Sequence, residues 1–220
     1  ERVMSRPERE LKAMRQAQRE EAAHRQRAAE RRSLLIIVGV LAVVAVAIAI
    51  TALYLYNSTP RHLTFQSVAH PEAVGQVVPG EGQQHVQVGT QVTYQHQPPT
   101  SGSHYSQAGV APVAWQTIGT IQPEVWVHNL EHGGIVVLYN CPSGCDDLQK
   151  QLTTYVNSIV PAEPQFGEYK IIMSPYSQGM GTHKVALLAW GRIEFLDGYD
   201  QAKITQFYEA HVDKGPERIP

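Results

Sequence analysis

The chain has 220 residues, of which 43% are hydrophobic, and a formal net charge of −2 at pH 7. This composition excludes a wholly disordered or collagen-like protein, and its two cysteines are too few for a disulfide-rich scaffold. The charge is uneven, with +4 in residues 1–32 and −6 in the remainder, and the acidic bulk argues against a nucleic-acid partner.

Two predicted helices of opposite character open the chain. Residues 1–32 are rich in helix-forming residues but offer only Leu11, Met14 and scattered alanines as an apolar stripe, which predicts a solvated helix. Residues 33–56 are 24 residues without a charge, which at about 1.5 Å per residue exceeds the roughly 30 Å hydrocarbon core of a bilayer. A cleaved signal peptide is the alternative, but its apolar core is typically only about 7 to 15 residues long. The sequence therefore predicts a transmembrane helix.

Positive charge flanks the apolar segment unequally. Four arginines lie just before it and one soon after it: Arg25, Arg27, Arg31 and Arg32, then Arg61. The positive-inside rule predicts a single-pass protein of the plasma membrane, with a cytoplasmic N-terminus and an extracytoplasmic C-terminal domain.

Small residues recur every three or four positions along the apolar segment: Gly39, Ala42, Ala45, Ala49 and Ala52. Such a stripe lets another transmembrane helix approach closely, although alanine is common in membrane spans that have no partner. The expected partners are therefore the lipid bilayer and other transmembrane helices of a larger complex.

The part outside the membrane is predicted to comprise a linker, residues 57–74, and one domain, residues 75–220. Its first third is rich in Gln, Gly, Pro and Thr, and alternation appears only in pieces such as HVQVGTQVTY (residues 85–94), which predicts short strands between turns. In EVWVHNL (residues 124–130), Val125 and Trp126 favour an extended chain, and the two glycines that follow would stop a helix.

The second half of the domain has the clearer periodicity. Its predicted elements, in chain order, are the buried strand IVVLY, the helix DDLQKQLTTYVNSIV, the buried strands YKIIMSPY and KVALLAWG, and the amphipathic helix DQAKITQFYEAHV. Asp146 or Asp147 is expected to cap the first of these helices. The order predicts an α+β fold, with a mixed sheet whose helices cover one face and whose first two strands are parallel across a right-handed crossover. Because two cysteines lie between a strand and a helix, the layout also resembles the thioredoxin-like fold.

Histidine is the most informative residue type, since nine of the ten lie after the apolar helix: His62, His70, His85, His96, His104, His128, His132, His183 and His211. Histidines four residues apart, as at His128 and His132, direct both imidazoles at one metal if the segment is helical. A thioether beside an imidazole suits copper, and Met180 lies near His183. The predicted ligands of one copper or zinc ion are His104, His128 and His132, with His85 or Met180 as a further contact. The alternative is that the imidazoles only bind backbone carbonyls and tie loops together.

His128, Glu131 and His132 also spell H-x-x-E-H, a zinc-peptidase motif in which two histidines bind zinc and the glutamate activates water. That motif needs a sustained helix, which the glycines and the strand that follow argue against. Glu131 is therefore predicted to orient a histidine as a hydrogen-bond acceptor outside the ligand set, and no catalytic residue is assigned.

Cys141 and Cys145 enclose a short turn before a predicted helix. Outside the cytoplasm, two thiols this close are expected to form a disulfide. Copper binding and thiol–disulfide exchange are the alternatives, because a helix N-terminus lowers the pKa of a thiol. A structural zinc site is disfavoured, since it would need a second cysteine pair.

Four stretches carry a resemblance to a known family: GEGQQHVQVGTQVTYQHQPPTSGSH, VHNLEHGGIVVLY, KVALLAWG and FYEAHVDKGPE. Over about residues 75–220 the chain resembles the bacterial domain-of-unknown-function family 3105. The resemblance implies a membrane-anchored extracytoplasmic domain and no particular activity. The site positions that it implies are His85, His104, His128, Glu131 and His132.

These observations lead to one functional hypothesis and two alternatives. The first is a membrane-anchored extracytoplasmic protein with a histidine-centred copper or zinc site. The alternatives are an accessory or structural subunit of a larger membrane complex, and a thiol–disulfide or metallochaperone protein that uses Cys141 and Cys145.

Overall fold

The structure is a computed structural model that describes residues 6–220. The chain forms two compact units, one ending at Thr59 and the other spanning Pro60–Pro220. The first unit contains helix α1 (Arg6–Ser58), which continues through both the charged and the apolar segments. Its part Gln18–Tyr56 is long and apolar enough to cross a membrane, judged by length and composition.

The second unit combines strands and helices. In chain order these are β1 (Gln76–Val77), β2 (His85–Val86), β3 (His104–Tyr105), α2 (Pro123–Glu131), β4 (Ile135–Tyr139), α3 (Asp146–Ser158), β5 (Ile171–Pro175), β6 (Val185–Ala189), β7 (Arg192–Leu196) and α4 (Gln201–His211). One sheet has the order β1-β7-β6-β4-β5, and β2 and β3 form a second, parallel pair. In the large sheet β4 and β5 are parallel and the other neighbours are antiparallel. The prediction of an α+β domain with a mixed sheet is confirmed.

Successive side chains of the central strands point alternately into two separate apolar clusters of the core. Ile135 and Val137 of β4 pack with α3 and α4, whereas Val136 and Leu138 pack with α2. Successive side chains of a strand point to opposite faces of the sheet. The two helices predicted from the sequence therefore share one face, and α2 covers the other.

The extended chain predicted for residues 124–130 is wrong, because this segment lies in α2. Pro123 stands in the first turn, where its missing N–H is not needed, and buried side chains surround the helix. A helix that is buried all round has no apolar stripe, so its sequence lacks a helical period. Gly133 follows with a φ of +78°, and a Cβ there would lie 2.7 Å from Asp213 Cα. The H-x-x-E-H motif thus begins on a helix that ends within it.

Smaller differences also have physical reasons. No strand is predicted at β7, whose side chains are mostly only partly buried, so it has no continuous apolar run. The N-cap of α3 is Cys145, while Asp146 and Asp147 lie in its first turn, where carboxylates still favour the helix N-terminus electrostatically. Within residues 85–94, only β2 is a strand.

Residues 60–74 of the predicted linker lie against the rest of the domain. His62 Nδ1 donates to the Val160 carbonyl at 2.7 Å, and the Leu63 amide donates to the Ile159 carbonyl at 2.8 Å. Phe65 packs against the cluster that contains α3 and α4. These contacts tie the start of the second unit to the end of α3.

Candidate metal centre

Three elements bring four side chains to one place. β2 and β3 pair with His85 opposite His104, and residues opposite each other direct their side chains to the same face. α2 packs against β3 and carries His128 and Glu131 near its C-terminal end. One ligand atom from each of these four residues lies within 4.8 Å of all the others. This group, called the inner group below, could hold a metal ion.

The carboxylate of Glu131 is the centre of the inner group. Its Oε2 lies 2.9 Å from His104 Nε2 and 3.1 Å from His85 Nε2. Glu131 is only 1% exposed, and His104 and His128 are also buried. A buried carboxylate needs a cation, a proton or several hydrogen-bond donors beside it. The side chain of His85 is 47% exposed, so the inner group meets solvent there.

Backbone carbonyls determine the tautomers of the two buried imidazoles. His104 Nδ1 lies 2.8 Å from the Gly102 carbonyl, and His128 Nδ1 lies 2.6 Å from the Tyr105 carbonyl. A carbonyl oxygen only accepts, so each Nδ1 carries the hydrogen and each neutral ring keeps a lone pair on Nε2. Metal-binding histidines usually have such a partner behind the ring. With a neutral ring, His104 Nε2 and Glu131 Oε2 are two acceptors, which a cation or a proton between them would join.

The loop before β3 sets the position of His104. Gly102 has a φ of +121°, and a Cβ there would lie 2.9 Å from the ring of Tyr94. The Tyr94 hydroxyl donates to the Ser103 carbonyl at 2.7 Å, and the Gly102 amide donates to the Gly82 carbonyl at 2.8 Å. Glycine is required at this point because the backbone is left-handed and the ring is close.

His132 follows α2 as its C-cap residue and lies beside the inner group. Its Nε2 is 3.0 Å from His128 Nε2 and 3.3 Å from Glu217 Oε2. Ligand atoms of Glu131, His132 and Glu217 form a second set within 4.8 Å of one another, called the outer group below. Glu217 is not among the residues predicted from the sequence, although it ends the stretch FYEAHVDKGPE, which carries the family resemblance.

Burial keeps two of the imidazoles neutral. It lowers the pKa of His128, although the hydrogen bond to the Tyr105 carbonyl acts in the opposite direction. Burial, together with the charge of a protonated His128, also lowers the pKa of His132 to about 4. Both rings are therefore neutral at pH 7, so that a metal ion can bind them without displacing an imidazolium proton.

The other predicted site residues have different surroundings. Met180 is fully buried in the apolar cluster around α2, and its role as a ligand stays a prediction. The sulfur atoms of Cys141 and Cys145 lie at disulfide distance before α3, with Cα atoms 5.7 Å apart. Glu131, expected outside the ligand set, has an oxygen close enough to the imidazoles to be a candidate ligand itself.

A family model described as "Protein of unknown function (DUF3105)" matches residues 85–219. The chain belongs to the DUF3105 family. No curated protein and no solved structure matches the chain. The DUF3105 match begins at His85 and includes Glu217, so the inner and outer groups both lie inside the family region.

Proposed function

We propose that the domain binds one divalent transition metal ion through the inner group, and that α1 anchors the domain outside the plasma membrane. The observation that supports the metal site is the convergence of three imidazoles on the buried carboxylate of Glu131. A histidine that merely ties a loop needs only its carbonyl partner. Here His104 and His128 have that partner on Nδ1 and each also offers a ligand atom to the group.

The donor atoms favour zinc or copper(II). The inner group offers three imidazole nitrogens and one carboxylate oxygen, whereas copper(I) prefers sulfur ligands. With bonds of about 2.0 to 2.1 Å, tetrahedral zinc ligands lie about 3.3 Å apart. The 2.9 and 3.1 Å contacts of the Glu131 carboxylate require an expansion of only a few tenths of an ångström. Four protein ligands leave no open position at a tetrahedral ion, so the proposal is metal binding without a catalytic step.

The exposed surface of α1 supports the membrane anchor. Every side chain from Ser33 to Tyr56 is exposed, and exposing apolar surface to water is unfavourable by about 25 cal/mol per Å². The Thr51 hydroxyl donates to the Ala47 carbonyl at 2.9 Å, so this polar group is satisfied inside the helix, as lipid requires. The arginines before residue 33 favour a cytoplasmic N-terminus.

Elemental analysis of the full chain, purified in detergent, tests the metal site. We expect the wild type to carry a metal ion and His104→Ala and His128→Ala to lose most of it. His211→Ala is a matched control, because His211 is also buried and also bonds a carbonyl, that of Val74 at 2.9 Å, but lies outside the group. Full metal content in both site variants, with the fold confirmed by circular dichroism, would refute the site.

Protease treatment of intact right-side-out vesicles tests the anchor. We expect digestion of residues beyond 60 and protection of the N-terminal segment. Protection of the domain together with cleavage among residues 1–32 would reverse the proposed orientation.

A further inference from the structure

The outer group lies directly beside the inner group and shares one residue with it. Its members are Glu131, His132 and Glu217, and one ligand atom from each lies within 4.8 Å of the other two. His132 Nε2 and Glu217 Oε2 are 3.3 Å apart, which is the separation of two ligands on one ion with bonds of about 2.1 Å at a tetrahedral angle.

Glu217 is held in this position by the backbone. Its amide donates to the Glu131 carbonyl at 3.0 Å, which fastens the C-terminal segment to the end of α2. Two residues earlier, a Cβ on Gly215 would lie 2.2 Å from that same carbonyl, so the segment approaches the helix as closely as only glycine permits. Two residues later, the Ile219 carbonyl accepts from the buried ammonium of Lys170 at 2.6 Å. Contacts before and after Glu217 therefore hold the backbone that carries its carboxylate.

Electrostatics gives the two groups different affinities. His132 is buried, while the side chain of Glu217 is 43% exposed. An ion in the outer group would therefore have three protein ligands and would complete its coordination with water. A divalent ion in the inner group would repel it, and the carboxylate of Glu131 between the two ions would reduce that repulsion.

We propose that Glu131, His132 and Glu217 form a second, weaker site for a divalent cation, with Glu131 bridging the two ions. The inference rests on the proposed function of the inner group. Carboxylate-bridged ions typically lie about 3.5 to 4 Å apart, and Glu131 is the residue that the two groups share. Water would complete the coordination of the outer ion from the solvent-exposed side at Glu217.

Zinc titration of the full chain in detergent, after removal of metal by a chelator, tests the second site. Native mass spectrometry should count two ions on the wild type at saturation and one on Glu217→Gln or His132→Gln. The second dissociation constant should rise at least about 10-fold in these variants, while the first stays unchanged. Glu72→Gln is the matched control, because Glu72 also pairs with a histidine, His70, at 3.1 Å, but on the open surface.

The outcomes separate the two proposals. One ion on both the wild type and Glu217→Gln would refute the outer site but agree with the inner site. No ion on the wild type would refute both proposals. Two ions on Glu217→Gln would also refute the outer site. Copper(II) allows a test without any variant. Two bridged ions should be magnetically coupled, seen as a half-field electron paramagnetic resonance signal or as a loss of signal intensity. Two uncoupled copper(II) spectra at full intensity, at two ions per chain, would overturn the bridge.

Discussion

Replacing Glu131 by glutamine removes the negative charge from the inner group while keeping the shape of the side chain. In the metal-free protein this change should cost little, because a glutamine N–H can donate to the lone pair on His104 Nε2, where the carboxylate oxygen now lies 2.9 Å away. We expect the free energy of unfolding of metal-free Glu131→Gln to equal that of the wild type within about 1 kcal/mol or to exceed it. Binding of zinc should instead be weakened by the loss of the anionic ligand.

The size of the effect follows from linkage. Zinc at 100 times its dissociation constant stabilises the wild type by about 2.7 kcal/mol. A domain of 150 to 250 residues gains about 2 to 4 °C per kcal/mol, so the melting temperature should rise by about 5 to 11 °C. If Glu131→Gln raises the dissociation constant about 100-fold, the same zinc concentration adds only about 0.4 kcal/mol, or about 1 to 2 °C.

Tryptophan fluorescence of the full chain in detergent measures this shift. The chain has three tryptophans, and Trp115, Trp126 and Trp190 all lie within Pro60–Pro220, so the signal reports on the domain alone. The melting temperature is recorded with chelator and with zinc at pH 7.5. A wild-type zinc shift that persists in Glu131→Gln would refute the role of the carboxylate as a ligand. A loss of more than about 2 kcal/mol without metal would show that its role is structural.

Glu163→Gln is the matched control. Glu163 is equally buried but accepts backbone N–H groups, from Gln165 at 2.6 Å, Phe166 at 2.8 Å and Glu168 at 3.0 Å. A side-chain hydrogen bond with Asp213 and these backbone bonds favour the charged form and together outweigh the effect of burial, so the pKa of Glu163 is lowered. The glutamine variant should lower the melting temperature without metal and keep the full zinc shift, which is the opposite of the result expected for Glu131→Gln.

Three further predictions test other features. The pKa of His132 falls from 6.5 to about 4 on folding, so the folded state binds fewer protons between these values. The free energy of unfolding of the metal-free protein should therefore fall by up to about 3 kcal/mol as the pH falls from 6.5 to 4. Denaturant titrations should show this loss, and an equal dependence of stability on pH in His132→Asn would contradict it. Cys141 and Cys145 should resist alkylation without reductant in mass spectrometry, and their double serine variant should lose about 2 kcal/mol, because the ring is short; full alkylation would favour functional thiols. Gly133→Ala should lose at least about 1 to 2 kcal/mol in the same titrations, since its φ is +78°, whereas an unchanged midpoint would contradict the proposed role of this glycine. Gly144→Ala, where φ is +85° but no atom lies within 4 Å of a Cβ, should lose less.

The central elements of the domain are predictable because each depends on residues that are neighbours along the chain. The strand β4 is a continuous apolar run, and α3 has apolar side chains at helical spacing, so local patterns suffice. The helix α2 shows the limit of this approach. Its burial on all sides removes the period that would mark it as a helix, and only packing between β3 and the large sheet reveals it.

By itself the sequence determined that α1 is long and apolar enough to span a membrane, that the domain is α+β, and that histidines are its candidate ligands. These conclusions need only composition, spacing and residue type. The sequence also marked Glu131, but as an acceptor outside the ligand set; its place among the candidate ligands, and that of Glu217, were decided by the tertiary structure. Glu131 lies 46 residues from His85 and 27 from His104 along the chain, and Glu217 reaches it only because the C-terminal segment binds back to the end of α2. Such contacts depend on strand pairing and on the path of a distant segment, which no local pattern encodes.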